Sequence, residues 1–272
     1  MVVDTVADQR RDVPLWEMGG KGVFVKEVQA AVLAGRADLA VHSAKDLPSV
    51  TPAGLVLAAV PERGDARDAL VGSTLDGLAV GATVATGAMR RRVQLADRRP
   101  DLCFAGLRGN MARRLSQASE FDVIVVAVAA LARLGLANRL TEVLAPWLMV
   151  PQAGQGALAV ECRSDDEGLR ARLAELEHGP SRRRVDAERA YLAELGGDCD
   201  LPAGAHAAIV DGAVVLDVML ASLDGHVVLR HRAEGDEAGP LGRGAARHLL
   251  DRGGRALVQP PVLASPTVSR EP

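Results

Sequence analysis

Three groups of residues have types and spacings that can do chemistry. Cys199 lies in Gly196-Gly197-Asp198-Cys199-Asp200-Leu201-Pro202, where paired glycines open access to its sulfur. That suits covalent attachment, although a small buried thiol fits the same position. The flanking aspartates oppose a thiolate, so any activating charge must come from elsewhere in the fold. Asp46 sits in Val41-His42-Ser43-Ala44-Lys45-Asp46-Leu47-Pro48, just past a short apolar run and beside a lysine. A carboxylate so placed can stabilise a developing cation or move a proton; the alternative is an ordinary turn aspartate. The third group is arginine: Arg90, Arg91 and Arg92, then Arg108, Arg113 and Arg114, then Arg133.

Each arginine set follows a stretch that reads as a strand: Val84 to Thr86, Leu102 to Ala105, and Val123 to Val128. A helix is expected after each, opening near Met89, near Met111 and just before Arg133. Alternating strands and helices imply a parallel sheet, with ligands beyond the carboxyl ends of its strands. The arginine sets are then expected at one sheet edge, where helix N-termini already favour anions and guanidinium groups bind carboxylates bidentately. The implied ligand carries several negative charges. Solvated surface arginines are the alternative.

Other elements frame this middle unit. Val23 to Ala34 places Phe24, Val28, Ala31 and Val32 on one helical face, with Gly35 as the C-cap. Asp38 to Val41 reads as a strand running into the Asp46 loop, with His42 as a hydrogen-bonded strand-end residue. Pro151 to Gly156 is a link, Ala157 to Cys162 is strand-like, and His178-Gly179-Pro180 marks a boundary. Val185 to Leu195 reads as an amphipathic helix. Apolar runs near 206–210, 213–220 and 226–230 follow, separated by the hairpin signals Asp211-Gly212 and Asp224-Gly225. A helix from about Pro240 to Leu250 closes this small α+β unit. Cys103 and Cys162 fall inside strand patterns and are expected in the core.

Composition narrows the class. A chain of 272 residues suits two or three domains. A formal net charge of −3 argues against a nucleic-acid binder. Three widely spaced cysteines fit a reducing compartment. The N-terminus lacks a signal-peptide layout, no run reaches the length of a membrane span, and no cysteine or histidine pairing suggests a metal site. A cytoplasmic protein is expected, with no nucleic-acid or membrane partner. Gly19-Gly20-Lys21-Gly22 lacks Walker spacing, so it is a weak phosphate-loop signal.

The motifs, taken in order, resemble those of the porphobilinogen deaminase (hydroxymethylbilane synthase) family. The series runs Gly19-Gly20-Lys21-Gly22-Val23-Phe24-Val25-Lys26-Glu27, then Val41 to Pro48, then Leu107-Arg108-Gly109-Asn110 with Arg114. It continues through Arg133-Leu134-Gly135-Leu136, Gly154-Gln155-Gly156-Ala157, Glu161-Cys162-Arg163 and Ala187-Glu188-Arg189-Ala190 to the Cys199 loop. The resemblance implies an α/β fold of two β/α domains like those of periplasmic binding proteins, plus a small C-terminal domain of three antiparallel strands with helices. Its boundaries would be 1–61 plus 157–178, 66–150 and 180–258, with a tail at 259–272.

It also implies a transferase of heme and tetrapyrrole biosynthesis. Such an enzyme deaminates porphobilinogen and joins four units head to tail into hydroxymethylbilane. The chain grows on a dipyrromethane cofactor held by a thioether to Cys199. Asp46 is implied as the catalytic residue, and Ser43, Lys45, Asp46, Thr86, Arg90, Arg91, Arg108 and Arg114 as cofactor contacts. Lys21, Phe24, Arg108, Arg114, Arg133 and Gln155 are implied as substrate contacts, and a monomer as the working form. Each porphobilinogen unit adds an acetate and a propionate, which accounts for a many-arginine cleft. Loss of ammonia leaves a cationic azafulvene that a carboxylate can stabilise.

The sequence departs from the family's pattern in three places. The family begins with a strand and helix bearing Thr-Arg-x-Ser-x-Leu-Ala, which this chain lacks; a start placed too far downstream, or a defective copy, would each account for that. Ala85-Thr86-Gly87-Ala88 replaces Gly-Thr-Ser-Ser, and Asp198 replaces a glycine. A non-catalytic polycarboxylate-binding module and an inactive truncated copy stand as the competing readings.

Overall fold

The structure is a computed structural model that describes residues 25–196 and 201–258. Three separate sheets organise these residues.

Helix α1 (Lys26–Leu33) packs Ala31 and Val32 inward, and Gly35 takes the left-handed conformation just past its end. It leads into β1 (Leu39–Ser43), a short 3-10 turn (Ala44–Asp46) and β2 (Leu55–Ala59). The first sheet has the order β1-β8-β2, with β8 (Leu158–Arg163) antiparallel to both neighbours. The chain thus leaves this sheet after β2 and re-enters it much later through β8.

The second sheet has the order β5-β4-β6-β3-β7. Its strands are β3 (Asp68–Val71), β4 (Thr83–Ala85), β5 (Cys103–Ala105), β6 (Val123–Ala127) and β7 (Glu142–Val143). Strands β4, β5 and β6 are parallel, as the alternating pattern predicts, each followed by a helix: α2 (Met89–Arg98), α3 (Met111–Ser116) and α4 (Val128–Arg133). Strands β3 and β7 join antiparallel, so the sheet is mixed rather than wholly parallel. All five residues of β6 are buried, as expected for an apolar run covered on both faces. Cys103 corrects another expectation: it is exposed, because β5 is an edge strand with one open side.

Helix α5 (Glu167–Leu173) follows β8. Helix α6 (Gly179–Leu195) begins six residues before the apolar pattern suggests, because Pro180 occupies its first turn, where a missing N–H costs nothing. The third sheet, β11-β10-β9, is antiparallel throughout: β9 (Ala203–Val210), β10 (Ala213–Ala221) and β11 (Val228–Gly235). The Asp211-Gly212 and Asp224-Gly225 signals fall between these strands as predicted. Helix α7 (Ala238–Leu249) packs with α6 over this sheet, and Tyr191, Leu216, Leu220 and Leu249 fill the core between them.

Two crossings connect the first and second sheets, and they touch. The Gly64 N–H donates to Gly156 O at 3.1 Å. Gly156 has φ +84°, and a Cβ there would lie 2.7 Å from the carbonyl oxygens of Gly64 and Asp65. Only glycine allows this close passage.

Candidate active site

Strand β1 ends at Ser43, and the tight turn that follows presents Lys45 and Asp46 toward the second sheet. The Ala44 N–H donates to Ala157 O at 3.0 Å, fixing this turn to the returning crossing. Gly154 makes room for it, since a Cβ there would stand 3.0 Å from Lys45 N.

The Lys45 ammonium donates to Gln155 Oε1 at 3.3 Å. Fully buried Gln155 then donates from Nε2 to Asp68 Oδ1 at 2.9 Å and to Ala66 O at 2.8 Å. Asp68, at the start of β3, is paired with both arginines that open α2. Arg90 Nη2 lies 2.8 Å from Oδ2, and Arg91 Nη2 lies 2.7 Å from Oδ1. Each arginine also donates to a backbone carbonyl, Arg90 to Val150 and Arg91 to Val125. Burial alone would raise the Asp68 carboxyl, but Arg90, Arg91 and the Gln155 hydrogen bond overcome it and hold it at about 2.

The rest of the cluster is less well compensated. Burial, and then repulsion from Arg91, pull the Lys45 ammonium down to about 8. Arg114 of α3 is lowered by the same two causes, burial first and Arg91 second. Burial raises the Asp46 carboxyl, with Lys45, His42 and Arg114 opposing that rise. Among the described residues, no side chain or backbone group holds the Asp46 carboxylate by a hydrogen bond or an ion pair. Among the described residues, four basic groups, Lys45, Arg90, Arg91 and Arg114, thus face two carboxylates, and Asp68 is already committed. That surplus is positive and partly desolvated, which suits a polycarboxylate. Within it the Asp46 carboxylate has no hydrogen bond or ion pair to a described residue.

The other predicted site residues scatter more widely. Ser43 is half-buried at the end of β1. Thr86 is buried, and its Oγ1 accepts from the Ala88 N–H at 3.2 Å, at the mouth of α2. Arg108 is half-buried in the loop after β5. Arg133 Nη2 donates to Gly156 O at 2.7 Å, on the crossing itself. Lys21, Phe24 and Cys199 lie outside the described residues.

Two arginines leave the expected edge. Arg92 turns away and stacks over the Phe104 ring at 5.7 Å, because successive helical positions are about 100° apart. Arg113 is exposed, and its side chain lies against Gly109.

Sequence reasoning overlooked a second buried pair. Arg63 grips Glu188 of α6 through two hydrogen bonds of 2.7 and 3.0 Å, and its Nε donates to Gln155 O at 2.9 Å. Glu188 also accepts from the N–H groups of Gly154 and Ala207, both at 2.7 Å. One carboxylate therefore ties both crossings to the third sheet. Asp68 was overlooked too. The only available signal was an acidic residue at the head of an otherwise apolar strand.

Comparison with known proteins places these residues among relatives. Residues 1–171 match the family model described as porphobilinogen deaminase, dipyromethane cofactor binding domain, and residues 182–251 match its C-terminal domain. A porphobilinogen deaminase of Chromobacterium violaceum is 48% identical over 269 residues, covering 96% of this chain and 87% of the relative. One from Syntrophus aciditrophicus is 44% identical over 266 residues, covering 95% and 87%. Among solved structures, the ligand-binding component of an ABC-type import system from Staphylococcus aureus is 12% identical, covering 60% of this chain and 58% of that one, with a TM-score of 0.32. A score that low supports no inference.

Proposed function

Because the chain belongs to the porphobilinogen deaminase family, we propose that Asp46 is its catalytic carboxylate and that Lys45, Arg91 and Arg114 bind the carboxylate arms of the pyrroles. The activity is that of a transferase of tetrapyrrole and heme biosynthesis. Porphobilinogen is deaminated and joined head to tail, four units to a chain, into hydroxymethylbilane. The single observation that carries the site assignment is the Asp46 carboxylate, without a hydrogen bond or ion pair to any described residue, beside Lys45 and the buried Arg90–Arg91–Asp68 cluster.

The donor set suits a dipyrromethane, each of whose pyrroles bears an acetate and a propionate. Lys45, Arg91 and Arg114 are read as the principal groups to hold it, with Arg90, Ser43, Thr86 and Arg108 as further contacts. When bound, the dipyrromethane supplies the nucleophilic pyrrole carbon on which the chain grows. Arg108, Arg133 and Gln155 are read as contacts for incoming substrate, and Lys21 and Phe24 complete that set. Cys199 is the attachment point, through a thioether.

Asp46 then has two tasks. Its carboxylate stabilises the cationic methylene carbon left when ammonia departs from porphobilinogen, and it accepts the proton that the attacked pyrrole carbon sheds as the new bond forms. Burial helps both, since it strengthens the electrostatic interaction and brings the carboxyl closer to the pH at which it must exchange a proton. Lys45 and the arginines screen the growing chain's carboxylates from Asp46. Covalent anchoring makes each addition intramolecular.

The chain is read as a monomer of three domains, 1–61 with 157–178, 66–150 and 180–258, working in the cytoplasm. No helix of the described residues is long and apolar enough to cross a membrane. Intact-protein mass spectrometry tests the assignment. The expected result is a covalent dipyrrole adduct that is lost in Cys199→Ser. A folded, unmodified protein that consumes no porphobilinogen would overturn it.

A further inference from the structure

Gln152, on the returning crossing, reaches the backbone of the Asp46 turn. Its amide Nε2 donates to Lys45 O at 3.2 Å.

The turn cannot supply that donor itself. The Leu47 N–H donates back to Ala44 O at 3.4 Å and closes the 3-10 turn. The next bond of such a turn would run from residue 48 to Lys45 O, but residue 48 is a proline and has no N–H. Leu47, restricted by that proline, is already extended, with φ −71° and ψ 142°. A part-buried carbonyl left this way needs a partner. Among the described residues, Gln152 provides it.

We infer that Gln152 is a positioning residue for the reaction, holding the peptide plane between Lys45 and Asp46 and so setting where the Asp46 carboxylate stands. This rests on the reading of Asp46 as the catalytic carboxylate. Lys45 O is rigidly coplanar with the Asp46 N–H. Holding that oxygen therefore limits rotation of the plane from which the Asp46 side chain departs. The carboxylate has no hydrogen bond or ion pair to a described residue, so its placement comes from its backbone.

Gln152 is itself firmly mounted. The Gln155 N–H donates to Gln152 O at 2.9 Å, and the Ala205 N–H of β9 donates to Pro151 O at 2.9 Å. The same crossing also takes the Lys45 ammonium, through Gln155 Oε1 at 3.3 Å. Lys45 is thus held at both ends, its ammonium by Gln155 and its carbonyl by Gln152. Loss of the Gln152 contact leaves the ammonium anchored, so it should disturb turnover more than binding.

The test uses Gln152→Met, close in length but without a donor, and Gln152→Glu, close in shape but an acceptor at neutral pH. Each is made in the full chain carrying its cofactor, alone and combined with Asp46→Asn. Both single variants are expected to keep the covalent dipyrrole mass and a KM for porphobilinogen within about twofold of the wild type, while kcat falls about three- to tenfold. The amide nitrogen resonance of Asp46, bonded to the Lys45 carbonyl carbon, should shift in both. In the Asp46→Asn background the same substitutions should lower the rate by less than about twofold, because the carboxylate they misplace is already gone. If Gln152→Met fails to fold, Gln152→Glu carries the comparison. A normal kcat, an unshifted Asp46 amide, or an equal loss with and without the Asp46 carboxylate would overturn this inference alone, provided Asp46→Asn is itself slow. A raised KM at unchanged kcat would also overturn it, by assigning Gln152 to binding. Full activity in Asp46→Asn would overturn the reading of Asp46 and the inference with it.

Discussion

Asp68 and Arg91 are joined through a single oxygen: the Nε and Nη2 of Arg91 lie 3.0 and 2.7 Å from Oδ1 of Asp68. Gln155 donates to the same atom from the crossing between the sheets. The second sheet's buried Asp68 is thus joined directly to the crossing, and through Gln155 to Lys45.

Removing that carboxylate leaves two buried arginines without their counter-charge. Asp68→Ala is expected to cost about 3–5 kcal/mol, measured as a lowered denaturant midpoint. The pH dependence has a definite sign. The Asp68 carboxyl is held at about 2 in the fold against 3.8 unperturbed, so its contribution is complete above the unperturbed value and is lost as pH falls toward 2. The stability gap between the wild type and Asp68→Asn should therefore close across that window. A gap that persisted below it would contradict the pairing.

Lys45 behaves in the opposite sense. Its ammonium is lowered to about 8 from 10.5, so between those values the unfolded chain binds more protons than the folded one. Stability should rise with pH across that window, as the cost of burying the cation is relieved. Carboxylates arriving beside Lys45 restore its charge. Binding of a pyrrole polycarboxylate above about pH 8 should therefore take up a proton, seen by calorimetry in buffers of different ionisation heat. Lys45→Met should abolish the uptake. Uptake unchanged in that variant would place the proton elsewhere.

How far the sequence foretold this site depended on how local each signal was. The turn after β1 was legible because Ser43 to Pro48 is one short motif following a short apolar run. The paired Arg90 and Arg91 were legible because a strand, a break and a helix follow one another without interruption. Asp68 and Arg63 were not, and Glu188 stood out only as part of the Ala187-Glu188-Arg189-Ala190 motif, since their partners lie on other strands and helices far along the chain. Strand β3, short and joined antiparallel, carries no periodicity of its own, so its aspartate did not stand out. Arg92 misled for a local reason: a run of three arginines looks like one patch until helical geometry turns the third away.

Glu188 joins three parts of the molecule through Arg63, Gly154 and Ala207. Glu188→Gln keeps the shape but removes the charge that Arg63 requires. A loss of about 3–5 kcal/mol is expected in denaturant unfolding. A loss under about 1 kcal/mol, of the order of an ordinary surface pair, would show that the three parts are held together by other contacts.

Asp46 is expected to carry a stability cost for its function. Burial raises its carboxyl above 3.8, so ionising it at neutral pH works against the fold, and that penalty is absent once the pH falls below 3.8. Asp46→Asn should melt higher than the wild type near neutral pH, and the gain should fade in acid. A lower melting temperature near neutral pH would mean that the carboxylate is satisfied where it stands.

The most direct measurement follows the covalent chain in Asp46→Asn by intact mass during a single exposure to porphobilinogen. The account predicts a retained dipyrrole and an addition of further units slowed by about 10²–10⁴-fold, while the wild type passes through each successive adduct. An Asp46→Asn protein that extends its chain at the wild-type rate would contradict it.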